Sequence, residues 1–262
     1  MNSDLQNGAL AGAVAACDAI GAAMLTRLTS RLGEDSGASG NVLACPVGLA
    51  LALATLRAGA ADNGTGIDAM LGVDTDAKTR DRVWSAVQRS LQRFDVADTQ
   101  QLQDFNPEAI PDTPLLHIAN NILAIGQTQP TQDYLGNAKR WYGAEVNRAE
   151  RPKAKAALDA WANLHTGGLI KESAINVTPL TRLVVQNALL FAARWAKHFN
   201  AAATAERQPF TRADGSTSRA DLMSRTGRLT FVTGPDWRAL RLRYVDGAGD
   251  SGSAGGSAAG SE

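Results

Sequence analysis

The residues from Leu183 to Phe191 place the strongest constraint on how this chain can fold. This segment, LVVQNALLF, is apolar except for the amide pair Gln186-Asn187. Such a run predicts a strand covered on both faces, although a short apolar run is also compatible with a buried helix. A buried amide costs a few kcal/mol unless it is hydrogen-bonded. The sequence therefore predicts either a specific partner for Asn187 or an outward-facing position at the strand end.

The composition is that of a globular protein with no overall charge. Of 262 residues, 44% are hydrophobic, and 26 Lys and Arg residues balance 26 Asp and Glu residues. This balance provides no field that favours nucleic acid or an anionic membrane. The chain also lacks an unbroken apolar run of about 18 residues, which a membrane span needs. We therefore predict neither nucleic acid nor a membrane as a partner.

The cysteines and histidines give no pattern of a metal or cofactor site. Cys17 and Cys45 are compatible with one disulfide or with two buried thiols. His117, His165 and His198 are scattered, without the spacing of metal ligands. We read His117 as an ordinary strand residue, because no activating partner is evident nearby in the sequence. No metal and no cofactor are predicted.

Hydrophobic periodicity predicts a mixture of helices and strands along the chain. Val47 to Leu56 is apolar all round, which predicts a fully buried helix starting near Pro46. Near the end, Leu240, Leu242 and Tyr244 alternate with arginines, which predicts a half-buried antiparallel strand. Helices are predicted at about 10–32, 47–56, 78–94, 132–141 and 153–164, and strands at about 115–124, 144–146, 183–191, 204–211, 219–224, 229–233 and 237–245.

Several ordered motifs together resemble the serpin family, whose members are mostly serine protease inhibitors. Residues 181–199, TRLVVQNALLFAARWAKHF, resemble the third strand of the main serpin sheet and the turn that follows it, which contains Trp195. Further matches are Ile118–Asn120, Tyr142 with Ala144–Val146, and Trp161 with Thr166, Gly168 and Ile170. The resemblance implies an α+β fold, with N-terminal helices around a large central mixed or antiparallel sheet and part of a second sheet.

The resemblance also identifies three positions that would control opening of the main sheet. The family pattern N-x-x-x-S-P-x-S places two small hydroxyl residues beneath the centre of that sheet. Asn41 and Pro46 match the pattern, but Cys45 and Gly48 stand where the serines would be. Cys45, Gly48 and Asn187 are therefore the candidate sheet-opening positions. The helix at 153–164 resembles the one that crosses the sheet and is displaced when the sheet expands.

The family mechanism requires a segment that is not recognisable here. In inhibitory serpins a protease cleaves a reactive loop, which then inserts beside the strand resembling Leu183–Phe191. We expect an incomplete serpin-like domain over residues 10–245, followed by a disordered Gly/Ser/Ala tail over residues 246–262. We expect this chain itself not to inhibit a serine protease, and to expose apolar surface and aggregate. A sharp cooperative melt of a monomer would contradict the aggregation. The family resemblance implies an extracellular protein, whereas the absence of a basic signal leaves a cytoplasmic one open.

A basic helix face provides an alternative function. Lys78, Arg82, Arg89 and Arg93 share one face of the helix predicted at 78–94. In some serpins the corresponding helix binds a polyanion such as a glycosaminoglycan. A solvated basic face would show the same pattern. The alternative is therefore a non-inhibitory binding protein on a serpin scaffold.

Two motifs near the end of the chain resemble catalytic sequences. The segment 249–252, GDSG, resembles the nucleophile motif of chymotrypsin-like proteases, and Gly247, Gly249 and Gly252 fit G-x-G-x-x-G. The first needs a positioned base and the second needs a following helix. Because both motifs lie in the predicted tail, we predict that the chain is not an enzyme.

Overall fold

The computed structural model describes residues 3–34, 42–60, 65–72, 76–95, 98–212 and 214–245. The chain divides into two compact units, one formed by residues 1–106 with 116–191 and the other by residues 107–115 with 192–262. Asn41 and the predicted tail, with its two catalytic-like motifs, lie outside the described residues. The single domain over residues 10–245 stays a prediction.

The first unit contains the helices, most of which the periodicity predicted. Two short helices, α3 and α5, were not predicted because each spans fewer than eight residues. The Asp98 side chain caps α5 by accepting from the Gln101 N–H. The helices are α1 (Ser3–Glu34), α2 (Pro46–Arg57), α3 (Thr65–Leu71), α4 (Ala77–Leu91), α5 (Thr99–Gln103), α6 (Gln132–Tyr142) and α7 (Arg151–His165).

The long helix α1 corrects one prediction from the sequence. Its segment Gly8–Ser30, with a mean hydropathy of 1.7, is long and apolar enough to cross a membrane. The sequence analysis predicted this helix but sought an unbroken apolar run, and Asp18 and Arg27 interrupt the apolar residues here. A core helix and a signal sequence share this composition. Ala13, Ala16 and Ile20 are buried in the core that α1 forms with α2 and α4.

The main sheet has three described strands in the order β2-β1-β3. They are β1 (Leu115–Ile125), β2 (Glu145–Ala149) and β3 (Leu183–Ala192). β1 and β2 run parallel. The Ile125 N–H donates to the Arg182 carbonyl, whereas the Asn187 side chain donates to Asn120, so β3 runs antiparallel to β1. The sheet is thus mixed, in agreement with the predicted fold class.

Burial corrects two predictions of complete coverage. Along β3, every second residue from Val184 to Ala192 is buried, but the residues between them are half-buried and Phe191 is exposed. In α2, Leu51 is fully buried whereas Leu49 and Leu56 are exposed. The apolar run predicted both elements correctly, but each packs fully on one side only.

The second unit consists of two antiparallel strand pairs. β4 (Ala205–Thr211) pairs with β5 (Thr217–Leu222), and β6 (Thr230–Thr233) pairs with β7 (Arg238–Arg241). The strand predicted over residues 237–245 is shorter than expected. Leu240, which was expected on its buried face, is 53% exposed. The physical reason is that no further described layer of this unit covers the β6–β7 pair.

Candidate functional site

The three predicted sheet-opening positions lie in direct contact. A Cβ atom added at Gly48 would lie 2.6 Å from Asn187 Oδ1 and 3.0 Å from Cys45 Sγ. Pro46 in the first turn begins α2 and fixes this position, because its ring has the backbone angle of a helix start. Gly48 is buried in α2. Its missing side chain leaves room for the Asn187 amide.

Asn187 has the specific partners that its setting requires. Its Nδ2 donates to Asn120 Oδ1 at 2.9 Å and to the Ala119 carbonyl at 3.1 Å. Both acceptors belong to β1, so the side chain joins β3 to its neighbour in addition to the backbone ladder. The predicted partner is confirmed, and the outward-facing alternative is wrong.

The hydrogen bonds continue from Asn120 into the helices. Asn120 Nδ2 donates to Gln88 Oε1 at 3.1 Å and to the Tyr142 carbonyl at 2.9 Å. Gln88 Nε2 donates to the same carbonyl at 3.0 Å. Asn120, Gln88 and Tyr142 are all buried. The network therefore connects β3 through β1 to α4 and the end of α6, and a satisfied buried network of this kind makes its surroundings rigid.

Gln186, the other half of the amide pair, binds the opposite layer. Its Nε2 donates to the Leu158 carbonyl of α7 at 3.2 Å. Successive side chains of a strand point to opposite faces of the sheet. Gln186 therefore attaches β3 to α7 on one face of the sheet. Asn187 contacts Gly48 of α2 on the other face.

A buried ionic cluster lies beside this network. Tyr142 donates from its hydroxyl to Asp81 Oδ1 at 2.9 Å, and burial raises the pKa of both groups above their ordinary values. Arg80 and Arg57 each lie 2.8 Å from a carboxylate oxygen of Asp68. The hydrogen bond from Arg57 lowers the pKa of Asp68. These contacts stabilise the helices.

The described residues show no arrangement for metal or thiol chemistry. Among them, no group of three or more His, Cys, Asp or Glu side chains is placed to hold a metal ion. Cys17 and Cys45 are free and half-buried. Burial is the main cause of a raised pKa for the Cys17 thiol. Of the two alternatives drawn from the sequence, the structure contains two thiols.

The predicted basic face of α4 is exposed. Val83 and Trp84 are buried on the opposite side of this helix. Arg89 donates to Ser85 Oγ, and the Arg93 guanidinium lies over the Phe94 ring. Within residues 76–95, the ion pairs formed do not use the four exposed cations, which are Lys78, Arg82, Arg89 and Arg93.

Trp195 lies in the second unit, in the turn that follows β3. Its ring stacks on Tyr244, with centroids 4.6 Å apart and planes 13° apart, and the two residues form an isolated backbone bridge. Phe199 approaches it edge-on at 6.4 Å. The residues predicted at this turn therefore form a small aromatic cluster, whereas a functional role for Trp195 remains a prediction.

A histidine pair in the first unit was missed by the sequence analysis. His117 Nδ1 lies 2.5 Å from Asp95 Oδ1, and its Nε2 lies 2.9 Å from His165 Nδ1. His165 Nε2 lies 3.0 Å from Glu145 Oε1, and this hydrogen bond lowers the pKa of Glu145. The prediction that His117 lacks a partner is wrong. Its partners lie 22 and 48 residues away, so no local pattern could have identified them.

Comparison with known families gives a match over most of the chain. Residues 22–253 match the model of the family described as Serpin (serine protease inhibitor). A solved structure of human thyroxine-binding globulin complexed with its ligand is similar in fold. It has a TM-score of 0.70 at 19% identity, and the match covers 90% of this chain and 59% of that chain.

Curated proteins of the same family are similar in sequence. Putative serpin-Z8 of Oryza sativa subsp. japonica is 30% identical over 235 residues, which are 85% of this chain and 52% of the relative. A leukocyte elastase inhibitor of Xenopus tropicalis is 27% identical over 223 residues, covering 81% of this chain and 54% of that protein. The chain thus spans about half the length of these relatives.

Proposed function

Because this chain belongs to the serpin family, we propose that its three-stranded sheet is the frame of a serine protease inhibitor. The observation that carries this proposal is the position of β3 at the edge of the β2-β1-β3 sheet. An edge strand presents unpaired backbone N–H and C=O groups to which a further strand can add. In the whole protein, β3 would be the strand beside which a cleaved reactive loop inserts.

The hydrogen bonds of Asn187 support a role in this insertion. The bonds from Asn187 to Asn120 and Ala119 hold β3 on β1, so β3 keeps its place when another strand adds at its free edge. Lost hydrogen bonds between buried groups cost about 1–3 kcal/mol each. Cys45 and Gly48 pack at the same point. We infer that these three residues hold β3 in place while the sheet expands beside it.

We further propose that residues 1–262 alone do not inhibit a protease, because no reactive loop is recognisable among them. The test is to incubate the purified chain with trypsin-like and elastase-like serine proteases and to analyse the mixtures by denaturing gel electrophoresis. We expect fragments of the chain, undiminished protease activity and no complex that survives SDS. A covalent complex containing both proteins would overturn this part of the proposal.

Strand addition at β3 can be tested without a protease. A synthetic peptide of alternating small and β-branched residues is the probe, and hydrogen exchange is followed along β3. We expect the peptide to slow exchange at alternate β3 amides, since an added strand bonds every second residue. A proline-substituted peptide of the same composition is the control. Equal exchange with and without the first peptide would contradict the proposed role of β3.

The second candidate function is binding of a polyanion by the basic face of α4. The observation that favours it is the exposure of Lys78, Arg82 and Arg89 on α4 and of Arg93 in the turn after it, without a described ion pair. Binding through such charges weakens as salt screens them. We expect retention on a sulfated-polysaccharide column that decreases with salt.

A charge-matched control separates this site from general attraction. The double variant Arg82→Ala and Arg89→Ala should lose retention at moderate salt. The double variant Arg238→Ala and Arg241→Ala removes the same charge from exposed β7 and should be retained like the wild type. Equal losses in the two double variants would contradict a specific site on α4.

A further inference from the structure

Four titratable groups form a continuous hydrogen-bonded chain in the first unit. Its order is Asp95, His117, His165 and Glu145, with contacts of 2.5, 2.9 and 3.0 Å. His117 lies on β1, His165 is the last residue of α7, and Glu145 is the first of β2. The two imidazoles are buried, with side chains 11% and 6% exposed, and their ring planes are nearly parallel, 11° apart.

The number of protons in this chain follows from its geometry. Each of the three contacts joins two atoms that are lone-pair acceptors when unprotonated, so each contact needs one proton. Ionised carboxylates supply none, and two neutral imidazoles supply one each. If only two protons are present, one of the three contacts has no proton, and the lone pairs of its two atoms then face and repel each other. Three protons satisfy all three contacts.

We propose that the His117–His165 pair shares one proton beyond its two neutral rings, and so clamps the end of α7 to β1 and β2 in a pH-dependent manner. The extra charge lies between the Asp95 and Glu145 carboxylates, which compensate it. Trp161 on α7 adds a second attachment, because its Nε1 donates to Glu145 Oε2 at 3.1 Å. Histidine is the side chain that gains or loses a proton between about pH 5 and 8.

Both directions of pH change release the clamp. A fourth proton makes both rings cationic, and two N–H groups then face each other across the 2.9 Å contact. Loss of the third proton leaves two lone pairs at the same place. The folded state is therefore stabilised over a middle pH range. As pH rises and the shared proton is lost, the hydrogen bond at that contact is lost, and its contribution to stability is lost with it.

The other charged groups on the surrounding elements either have partners of their own or are exposed. Lys155 and Asp159 pair on α7, Arg148 of β2 donates to the Thr128 carbonyl, and Arg93 lies over Phe94. On α5, which packs against α7, Asp98 and Asp104 accept hydrogen bonds from their own helix. On the neighbouring helices, Arg89 donates to Ser85, Arg140 lies over Trp141, and Asp133 and Lys139 are exposed.

The direct test counts ring protons by ¹⁵N NMR of the histidines in the whole chain. Near neutral pH we expect three protonated nitrogens among the four of His117 and His165. Exposed His198 provides the reference signals in the same sample. Two protonated and two bare nitrogens would overturn the proposal. The solid-state form of this experiment reads the same count if the chain associates.

A second measurement follows the clamp through stability. Loss of one bound proton changes the unfolding equilibrium tenfold per pH unit. Above neutral pH we expect this dependence in the wild type and in His198→Gln, and its absence in His165→Gln. Identical pH profiles for the wild type and His165→Gln would overturn the proposal.

A third readout needs no destabilised variant. The Trp161 ring lies 4.4 Å from that of His165, and an imidazolium quenches indole fluorescence. The pH-dependent emission of the wild type, minus that of Trp161→Phe, should change where the pair titrates. A flat difference between pH 5 and 9 would overturn the proposal. None of these outcomes depends on whether the chain inhibits a protease, since each reports on the histidine pair alone.

Discussion

β3 of the first unit and the β6–β7 pair of the second both contain large apolar side chains but have different surroundings. Val184, Ala188 and Leu190 of β3 are buried. Phe231 and Leu240, which lie opposite each other in the β6–β7 pair, are 69% and 53% exposed. Apolar residues in a strand thus identify side chains that can be covered, whereas burial requires a second layer. Helices provide that layer for β3.

The difference in burial determines which region carries the stability. Burial of apolar surface contributes about 25 cal/mol per Å², and an exposed side chain contributes little of this. The core of α1, α2 and α4 contains fully buried Leu51 and Trp84. We therefore expect the first unit to dominate the free energy of unfolding.

The largest expected effect is that of a cavity in this core. Leu51→Ala should lower the free energy of unfolding by about 3 kcal/mol, because Leu51 is fully buried. Phe231→Ala removes a larger side chain from the exposed pair and should change that free energy little. Urea unfolding followed by circular dichroism measures both. Equal losses would show that the two regions are stabilised alike.

A smaller effect is expected from the ion pairs of the two units. Asp68→Asn should cost about 2 kcal/mol, because it removes the carboxylate that binds Arg80, whose side chain is 3% exposed. Asp112→Asn breaks the exposed pair with Arg194 and should have no measurable effect.

The effect of Asp68→Asn on stability should depend on pH. Since Arg57 and Arg80 lower the pKa of Asp68, its stabilising effect is present above the ordinary carboxyl pKa. That effect is lost as pH falls through the lower pKa of the folded state. The difference in stability between the wild type and Asp68→Asn should therefore shrink in acid. A constant difference down to pH 2 would contradict the assignment.

The smallest expected effect concerns the glycine at the sheet-opening positions. Gly48→Ala should cost about 1–2 kcal/mol, because its Cβ would meet Asn187 Oδ1 at 2.6 Å. Gly136 in α6 has no atom within 4 Å of such a Cβ, and Gly136→Ala should stabilise by about 0.5–1 kcal/mol. Thermal melting of both variants measures this contrast. Stabilisation by both alanines would mean that Asn187 moves freely from Gly48.

Local patterns in the sequence predicted much of the fold and one part of the site. The apolar runs placed β1 and β3, and the partner of Asn187 followed from the cost of a buried amide. The exposure of Leu240 was not predicted, since a strand pattern carries no information about its covering layer. The partners of His117 come from other elements, so their assembly depends on packing between distant segments.

The orientation of the Gln186-Asn187 dipeptide has a consequence for strand slippage. An edge strand such as β3 is held by a neighbour on one side and can shift along its axis. A shift by one residue would exchange the faces of the sheet on which all its side chains lie. Gln186 would then lose the Leu158 carbonyl, and Asn187 would lose Asn120. These two amides therefore oppose a one-residue shift of β3, because such a shift would cost both of them the hydrogen bonds that their Nε2 and Nδ2 groups donate.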